Sequence, residues 1–209
     1  QRRATGDMSR GACMTEDEAE DLLVAGIRMG ATLTNGSMLV LAGGGRACEV
    51  SSAALLLALH PSADVHDLLP RPVGFDDIAL SDARRLVAEV VSSSAARLSS
   101  PLSMLATLGG FEHAFMAGIL ATCAQRRIPV LFDGVAAAAA ASWLVALDMR
   151  VATYLTSSDI PGEPSCWART GMHAPQRIRS RAWTGAGALI ALGNLRTVRT
   201  VYLRKEGGQ

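Results

Sequence analysis

The most regular pattern of apolar and polar positions lies in residues 108–147. Apolar residues recur at helical spacing in residues 111–127, which predicts a helix. The wholly apolar run at residues 128–132 is typical of a parallel strand that is covered on both faces. Residues 135–147 are rich in alanine and predict a second helix, whose small side chains allow close packing on several sides.

A second succession of strand, loop and helix precedes this stretch. Residues 37–42 predict a short buried strand, residues 43–45 are three glycines, and residues 51–60 predict an apolar helix. A glycine-rich loop in this position can present backbone N–H groups to a phosphate. It also suits an ordinary tight turn, because no GK[ST] follows and GxGxxG is not matched in register.

The remaining elements are predicted from periodicity and helix-capping signals. Thr15 with Glu18 forms a capping-box signal for a helix that continues to about Leu33. The others are helices at 80–98, 102–108 and 184–195, a strand at 149–155, and at 198–203 either an extension of the last helix or an edge strand.

The composition favours one compact α/β domain. Of 209 residues, 49% are hydrophobic, 19% are charged and only 4% are aromatic, which suits an aliphatic core and argues against disorder. Residues 1–14 lack a period and are predicted to be a linker or frayed terminus, and residues 15–209 a single domain. The net charge of +1 gives no electrostatic basis for binding nucleic acid or an anionic membrane.

The cysteines and the apolar runs bear on the cellular compartment. The four cysteines lie far apart, without a CxxC motif or zinc spacing, so free thiols and a reduced, cytoplasmic context are expected. No secretory signal opens the chain, and the longest uncharged apolar run, residues 134–147, is too short to cross a bilayer.

Several polar residues stand where ligands bind in α/β folds. Asp133 ends a predicted buried strand, at the edge where open sheets bind ligands, although backbone N–H groups alone could satisfy it. Asp76, Asp77 and Glu112 stand at predicted helix starts, where a carboxylate either complements the helix dipole or faces a ligand. His113 is predicted to be a helix-surface histidine.

Residues 12–195 resemble the carboxyl-terminal two-thirds of the nicotinate-nucleotide:dimethylbenzimidazole phosphoribosyltransferase family. The longest matching segment is LGGFEHAFMAGILATCAQRRIPVLFDGVAAAAAA, which follows the family pattern without a gap. Further matches are CMTEDEAEDLLVAGIRMG, the strand and loop MLVLAGGG, Gly74-Phe75-Asp76-Asp77, Glu163-Pro164 and Thr184-Gly185.

The resemblance implies a Rossmann-like parallel sheet with helices on both faces. It also implies a dimer that transfers phosphoribose from nicotinate mononucleotide to a benzimidazole nitrogen, without a metal or a cofactor. The residues that it places in the substrate site are Gly44, Gly74, Asp76, Gly110, Glu112, Asp133 and Thr184.

The chain departs from the family at the positions that carry the chemistry. The two family glutamates, one of them the catalytic base, correspond to Gly45 and Ala182, so the catalytic residues are unknown. Loss of a general base typically lowers the rate by a factor on the order of 10²–10⁴. Glu49, four residues from Gly45, either substitutes for the lost carboxylate or is a solvated loop residue.

Two hypotheses follow from this combination of matches and departures. The chain is either a divergent phosphoribosyltransferase that lacks the upstream part of the family fold, or a catalytically degenerate relative. The degenerate relative would bind a nucleotide or act as the partner subunit of an intact family member.

Overall fold

The computed structural model describes residues 4–69, 74–157 and 185–206. Three parallel strands form one sheet in the order β1, β2, β3, with bounds Leu39–Ala42, Val130–Asp133 and Leu155–Ser157. The register pairs Ala42 with Asp133, and Phe132 with Ser157. Since parallel strands end at the same edge, the loops that follow them meet there.

Helices account for most of the other described residues. They are α1 (Glu16–Ala31), α2 (Arg46–Leu59), α3 (Val65–Leu68), α4 (Asp77–Ser93), α5 (Pro101–Leu108), α6 (Phe111–Gln125), α7 (Val135–Leu147) and α8 (Ala186–Glu206). Two 3₁₀ helices span Ala95–Arg97 and Met149–Tyr154. Within the described part of the chain, no helix combines the length and the apolar character that a membrane span requires.

The sheet has helices on both faces, which confirms the predicted α/β fold. Alternate residues of a strand point to opposite faces. Val130 and Phe132 belong to the main core, together with the buried alanines of α2, α6 and α7, whereas Leu131 packs against Ala188 and Ala191 of α8.

Helices α1 and α6 cross at a pair of glycines. A Cβ atom on Gly26 would lie 3.0 Å from the Cα of Gly118 and nearer still to the carbonyl oxygen of Phe115. Arg126 then closes the end of α1, where its guanidinium donates to the carbonyl oxygens of Gly30 and Ala31. The backbones of the two helices can approach this closely only because the crossing carries no side chains.

Two predicted elements need correction at their boundaries. Residues 149–154 form a 3₁₀ helix rather than a strand, because Asp148 accepts a hydrogen bond from the backbone N–H of Arg150 and starts a turn. The strand that follows is confined to Leu155–Ser157. Residues 198–203 extend α8, so the alternative of an edge strand is wrong.

The predicted linker ends in packed residues. Cys13 is 3% exposed and Met14 is 2% exposed. Their backbone N–H groups donate to the carbonyl oxygens of Thr107 and Ala106 at 3.3 and 3.0 Å. Met14 fills a small apolar cluster with Ala19 and Ala106 beside α5.

Candidate functional site

The carboxyl edge of the sheet carries two glycine turns. Gly45 precedes α2 with φ +144° and Gly134 precedes α7 with φ +83°, values that side chains other than hydrogen rarely allow. In the loop before Gly45, a Cβ atom on Gly43 would lie 3.1 Å from Cβ of Ala136 and 3.2 Å from Cε of Met116. The loop after β1 is thus packed against α6 and α7, which leaves Gly44 and Gly45 exposed.

Asp133 connects the beginning of α8 to the carboxyl edge of the sheet through a hydrogen bond. Its side chain is buried at the end of β2, and its Oδ2 atom accepts a hydrogen bond of 2.8 Å from the backbone N–H of Gly185. Gly185 has φ +95°, and a Cβ atom on it would lie 3.4 Å from Cβ of Ala42. The sequence left two alternatives for Asp133, a backbone partner or a bound ligand. The structure shows a backbone partner, and contact with a ligand stays a prediction.

A second group of polar side chains joins α2 to the beginning of α6. We call Cys48, Ser52, Glu112 and His113 the His113 cluster. The His113 side chain is completely buried, so the prediction of a surface histidine is wrong. Its Nδ1 atom accepts a hydrogen bond of 2.7 Å from the backbone N–H of Gly110, and its Nε2 atom lies 2.7 Å from Oγ of Ser52.

These contacts determine which ring nitrogen of His113 carries the proton and to which atom the Ser52 hydroxyl donates. The N–H of Gly110 can only donate, so Nδ1 of His113 carries the lone pair and Nε2 carries the proton. Nε2–H therefore donates to Ser52, whose hydroxyl in turn donates to the carbonyl oxygen of Cys48. Burial lowers the pKa of His113 below its ordinary value of 6.5, against the opposing charge of Glu112. The imidazole is thus neutral at pH 7.

Glu112 is the accessible member of the His113 cluster. Its side chain is 38% exposed, and its Oε1 atom lies 3.5 Å from Nδ1 of His113. The carboxylate lies so close to Gly110 that a Cβ atom there would overlap both of its oxygens. Only glycine therefore permits this position of the carboxylate.

The Cys48 thiol is held in its protonated form. Burial raises the pKa of this thiol to about 12, and the charge of Glu112 and a hydrogen bond with that carboxylate contribute to the rise. Its Sγ atom lies 3.9 Å from Oγ of Ser52 and within 4.8 Å of a carboxylate oxygen of Glu112. It is not a nucleophile at neutral pH, because the thiolate is the reactive form.

Cys48, Glu112 and His113 also offer three ligand atoms within 4.8 Å of one another, a spacing that a metal ion could bridge. Both nitrogens of His113 are already engaged, however, one by Gly110 and one by Ser52. A metal would also need the thiolate form of Cys48. The donor set fits a hydrogen-bonded network better than a metal centre.

The other predicted site residues are less closely joined. Asp76 is exposed and caps α4, where its carboxylate accepts a hydrogen bond of 2.7 Å from the backbone N–H of Ala79. Gly74 is an exposed turn residue with φ +84°. Thr184 and Ala182 lie outside the described residues. The structure therefore brings Gly110 and Glu112 together, and it places Asp133 beside Gly185.

Sequence reasoning did not predict that Cys48, Ser52 and His113 form one network. Two signals were present. Ser52 follows Cys48 by four residues and so occupies the same side of an otherwise apolar helix. His113 stands three residues after Gly110, the position from which a side chain reaches back to the backbone N–H at a helix start.

Comparison with known proteins agrees with this architecture. A family model described as phosphoribosyltransferase matches residues 1–203. The nicotinate-nucleotide–dimethylbenzimidazole phosphoribosyltransferase of Salinispora tropica is 32% identical over 195 residues, which is 91% of this chain and 54% of that protein. The enzyme of the same name from Cereibacter sphaeroides is 32% identical over 198 residues, 93% of this chain and 58% of that protein.

Solved structures give the same picture. CobT from Thermus thermophilus superposes with a TM-score of 0.81 at 24% identity, over 92% of this chain and 59% of that one, which shows a shared fold. A second structure, of the phosphoribosyltransferase of that organism, gives 0.75 at 26% identity over 92% of this chain and 58% of that one. The chain spans little more than half the length of these relatives. From its match to the family model, the chain belongs to the phosphoribosyltransferase family.

Proposed function

We propose that the protein transfers phosphoribose from nicotinate mononucleotide to 5,6-dimethylbenzimidazole or a related azole base. The names of the relatives from Salinispora and Cereibacter supply the reaction. The observation that carries it to this chain is the carboxyl edge of the sheet, where the glycine loop before α2, Asp133 and the beginning of α8 converge. Ligands of open α/β sheets bind at such edges.

The chemistry of the proposed transfer is a substitution at one carbon. A lone pair of the azole forms the new bond to C1′ of the ribose, and the bond from C1′ to the pyridinium nitrogen breaks, so that nicotinate leaves with that electron pair. We propose that Gly44, Gly74, Asp76, Gly110, Glu112, Asp133 and Thr184 line the site. Backbone N–H groups at the start of α2 suit the 5′-phosphate, because a helix N-terminus favours an anion.

Incubation of the full-length protein with nicotinate mononucleotide and 5,6-dimethylbenzimidazole tests this function. We expect nicotinate and the base's riboside phosphate to appear in equal amounts on a chromatogram. A reaction without the base measures hydrolysis alone. Well-folded protein that releases no nicotinate would contradict the proposal.

A second candidate is a catalytically degenerate subunit. Gly45 favours it, because this exposed glycine provides no carboxylate at a position where the resemblance expects one. Such a subunit would bind nicotinate mononucleotide with a Kd of roughly micromolar without turnover, or would co-purify with an intact family member. Titration calorimetry and co-purification separate it from the enzyme.

We further propose that the protein is cytoplasmic and works as a homodimer or as a heteromer with an intact family member. The family membership supports this assembly. Light scattering on the full-length protein, alone and mixed with such a member, measures the mass of the assembly. A monomer that does not bind the partner would contradict it.

A further inference from the structure

The transfer proposed above releases one proton for each azole that reacts. The attacking nitrogen contributes its lone pair to C1′, and the second ring nitrogen must lose its N–H proton to leave the azole ring neutral. A carboxylate within reach of that N–H can take the proton and return it to water. The inference below rests on the proposed function and concerns the identity of that carboxylate.

Besides Asp76, which caps α4, three carboxylates of the described residues lie at the end of β2 or in the first turns of α2 and α6. Asp133 is 8% exposed and its Oδ2 atom is already held by Gly185. Glu49 is half-buried in the first turn of α2. Glu112 has the open side chain, at 38% exposure, and stands in the first turn of α6. Asp133 is buried and already bonded, so Glu112 is the more accessible of these two, and Glu49 is the rival carboxylate.

The position of Glu112 relative to Gly45 supports this choice. A Cβ atom on Gly45 would lie 3.9 Å from Cβ of Cys48, and Sγ of Cys48 lies within 4.8 Å of a carboxylate oxygen of Glu112. The Cys48 side chain thus separates the Glu112 carboxylate from position 45. The carboxylate can approach a substrate in the space that Gly45, without a side chain, leaves open.

The surroundings of Glu112 also hold it in place. Gly110 has no Cβ atom, so the carboxylate can lie against its backbone, and the first turn of α6 is fixed by the hydrogen bonds from Gly110 to His113 and from His113 to Ser52. A base that is already positioned needs little rearrangement when the substrate arrives.

We propose that Glu112 is the catalytic base that accepts the azole proton. In the step, the N–H bond of the azole breaks, its electron pair stays in the ring, and the proton moves to Glu112. Solvent then removes the proton, since the side chain is partly open to water.

The test compares Glu112→Gln with Glu49→Gln in the full-length protein. Glutamine keeps the shape of glutamate and cannot take the proton. We expect Glu112→Gln to lower kcat by a factor on the order of 10²–10⁴, while the Kd for nicotinate mononucleotide stays near the wild-type value. Glu49→Gln removes the rival carboxylate in the first turn of α2. A fall in kcat in this variant, with wild-type kcat in Glu112→Gln, would overturn the role of Glu112.

The conservative variant adds a readout that a purely structural role would not give. Glu112→Asp keeps a carboxylate and should retain part of the kcat that Glu112→Gln loses, although glutamine matches the shape of glutamate more closely. This comparison separates loss of the base from a folding defect.

The outcomes distinguish the two proposals. Wild-type kcat in Glu112→Gln, with nicotinate still released, would overturn the role of Glu112 and leave the proposed function standing. Wild-type protein that releases no nicotinate would overturn both. A loss confined to the Glu112 variants would support both.

Discussion

At the residue scale, the fully buried imidazole of His113 determines how the cluster between α2 and α6 is protonated. Its Nδ1 atom accepts from Gly110 and its Nε2–H donates to Ser52, so both nitrogens are satisfied only in the neutral form. A second proton would place a hydrogen between Nδ1 and the Gly110 N–H, which also donates. Acid therefore acts against this arrangement.

The stability of the protein should depend on pH through His113. In the unfolded chain this histidine binds a proton near pH 6.5, whereas burial lowers its pKa in the folded protein. The contribution of neutral His113 to the free energy of unfolding is fully present above pH 6.5. It falls by at most about 1.4 kcal/mol for each pH unit below that value. Urea unfolding of wild type and His113→Gln between about pH 7.5 and 5 measures the difference.

His66→Gln provides the control for that experiment, because His66 is exposed on α3. It should leave the pH dependence of wild type unchanged. Equal slopes in wild type and His113→Gln would show that His113 is not the group responsible.

The raised pKa of the Cys48 thiol should make its alkylation slow, and a substitution of Glu112 tests this cause. A pKa of about 12 in place of the ordinary 9.0 lowers the thiolate fraction at neutral pH about 10³-fold. Alkylation followed by peptide mass spectrometry should find Cys48 protected in the folded protein. Glu112→Gln removes the neighbouring charge and should speed the labelling of Cys48. Cys123 on α6 should stay protected, because burial raises the pKa of its thiol without a contribution from Glu112.

At the scale of elements, the crossing of α1 and α6 depends on an absence of side chains. A Cβ atom on Gly118 would lie 2.9 Å from the backbone nitrogen of Ile27 and 3.0 Å from the Cα of Gly26. These are backbone atoms of a neighbouring helix, so an added methyl group would force the two helices apart.

Gly118→Ala should therefore lower the free energy of unfolding by about 1–3 kcal/mol. Gly193→Ala is the matched control, since a Cβ atom there meets nothing within 4 Å in the interior of α8. It should raise the free energy of unfolding by about 0.5–1 kcal/mol, because alanine favours helix more than glycine does. Chemical denaturation measures both, and equal effects of the two substitutions would contradict the close crossing.

At the scale of the whole molecule, Asp133 connects the centre of the sheet to α8 across 52 residues of sequence. Asp133→Ala removes a buried, charged hydrogen bond worth about 1.5–3 kcal/mol. We expect amide hydrogen exchange to rise in residues 186–195, which pack on the sheet, and to change little in α1. Uniform acceleration across both helices would instead indicate a general loss of stability.

The sequence predicted those parts of the fold whose signals are local. Thr15 and Glu18 make the expected capping box, and β2 and α7 follow the predicted apolar run and alanine tract closely. The burial of His113 was missed because it depends on Ser52, which lies 61 residues away. The site could be predicted in its glycines and acids, whereas its hydrogen-bond network depends on how α2 and α6 meet.

The placement of α8 also sets the order in which the core can be completed. Synthesis proceeds from the amino terminus, so β1 and β2 leave the ribosome well before Ala188 and Ala191, which cover Leu131 and pack beside Val40. Until those residues emerge, one face of the nascent sheet lacks the cover that α8 later provides, and exposed apolar strands are prone to aggregate. Packing of α8 on this face is therefore a long-range step that can occur only after both strands have been synthesised.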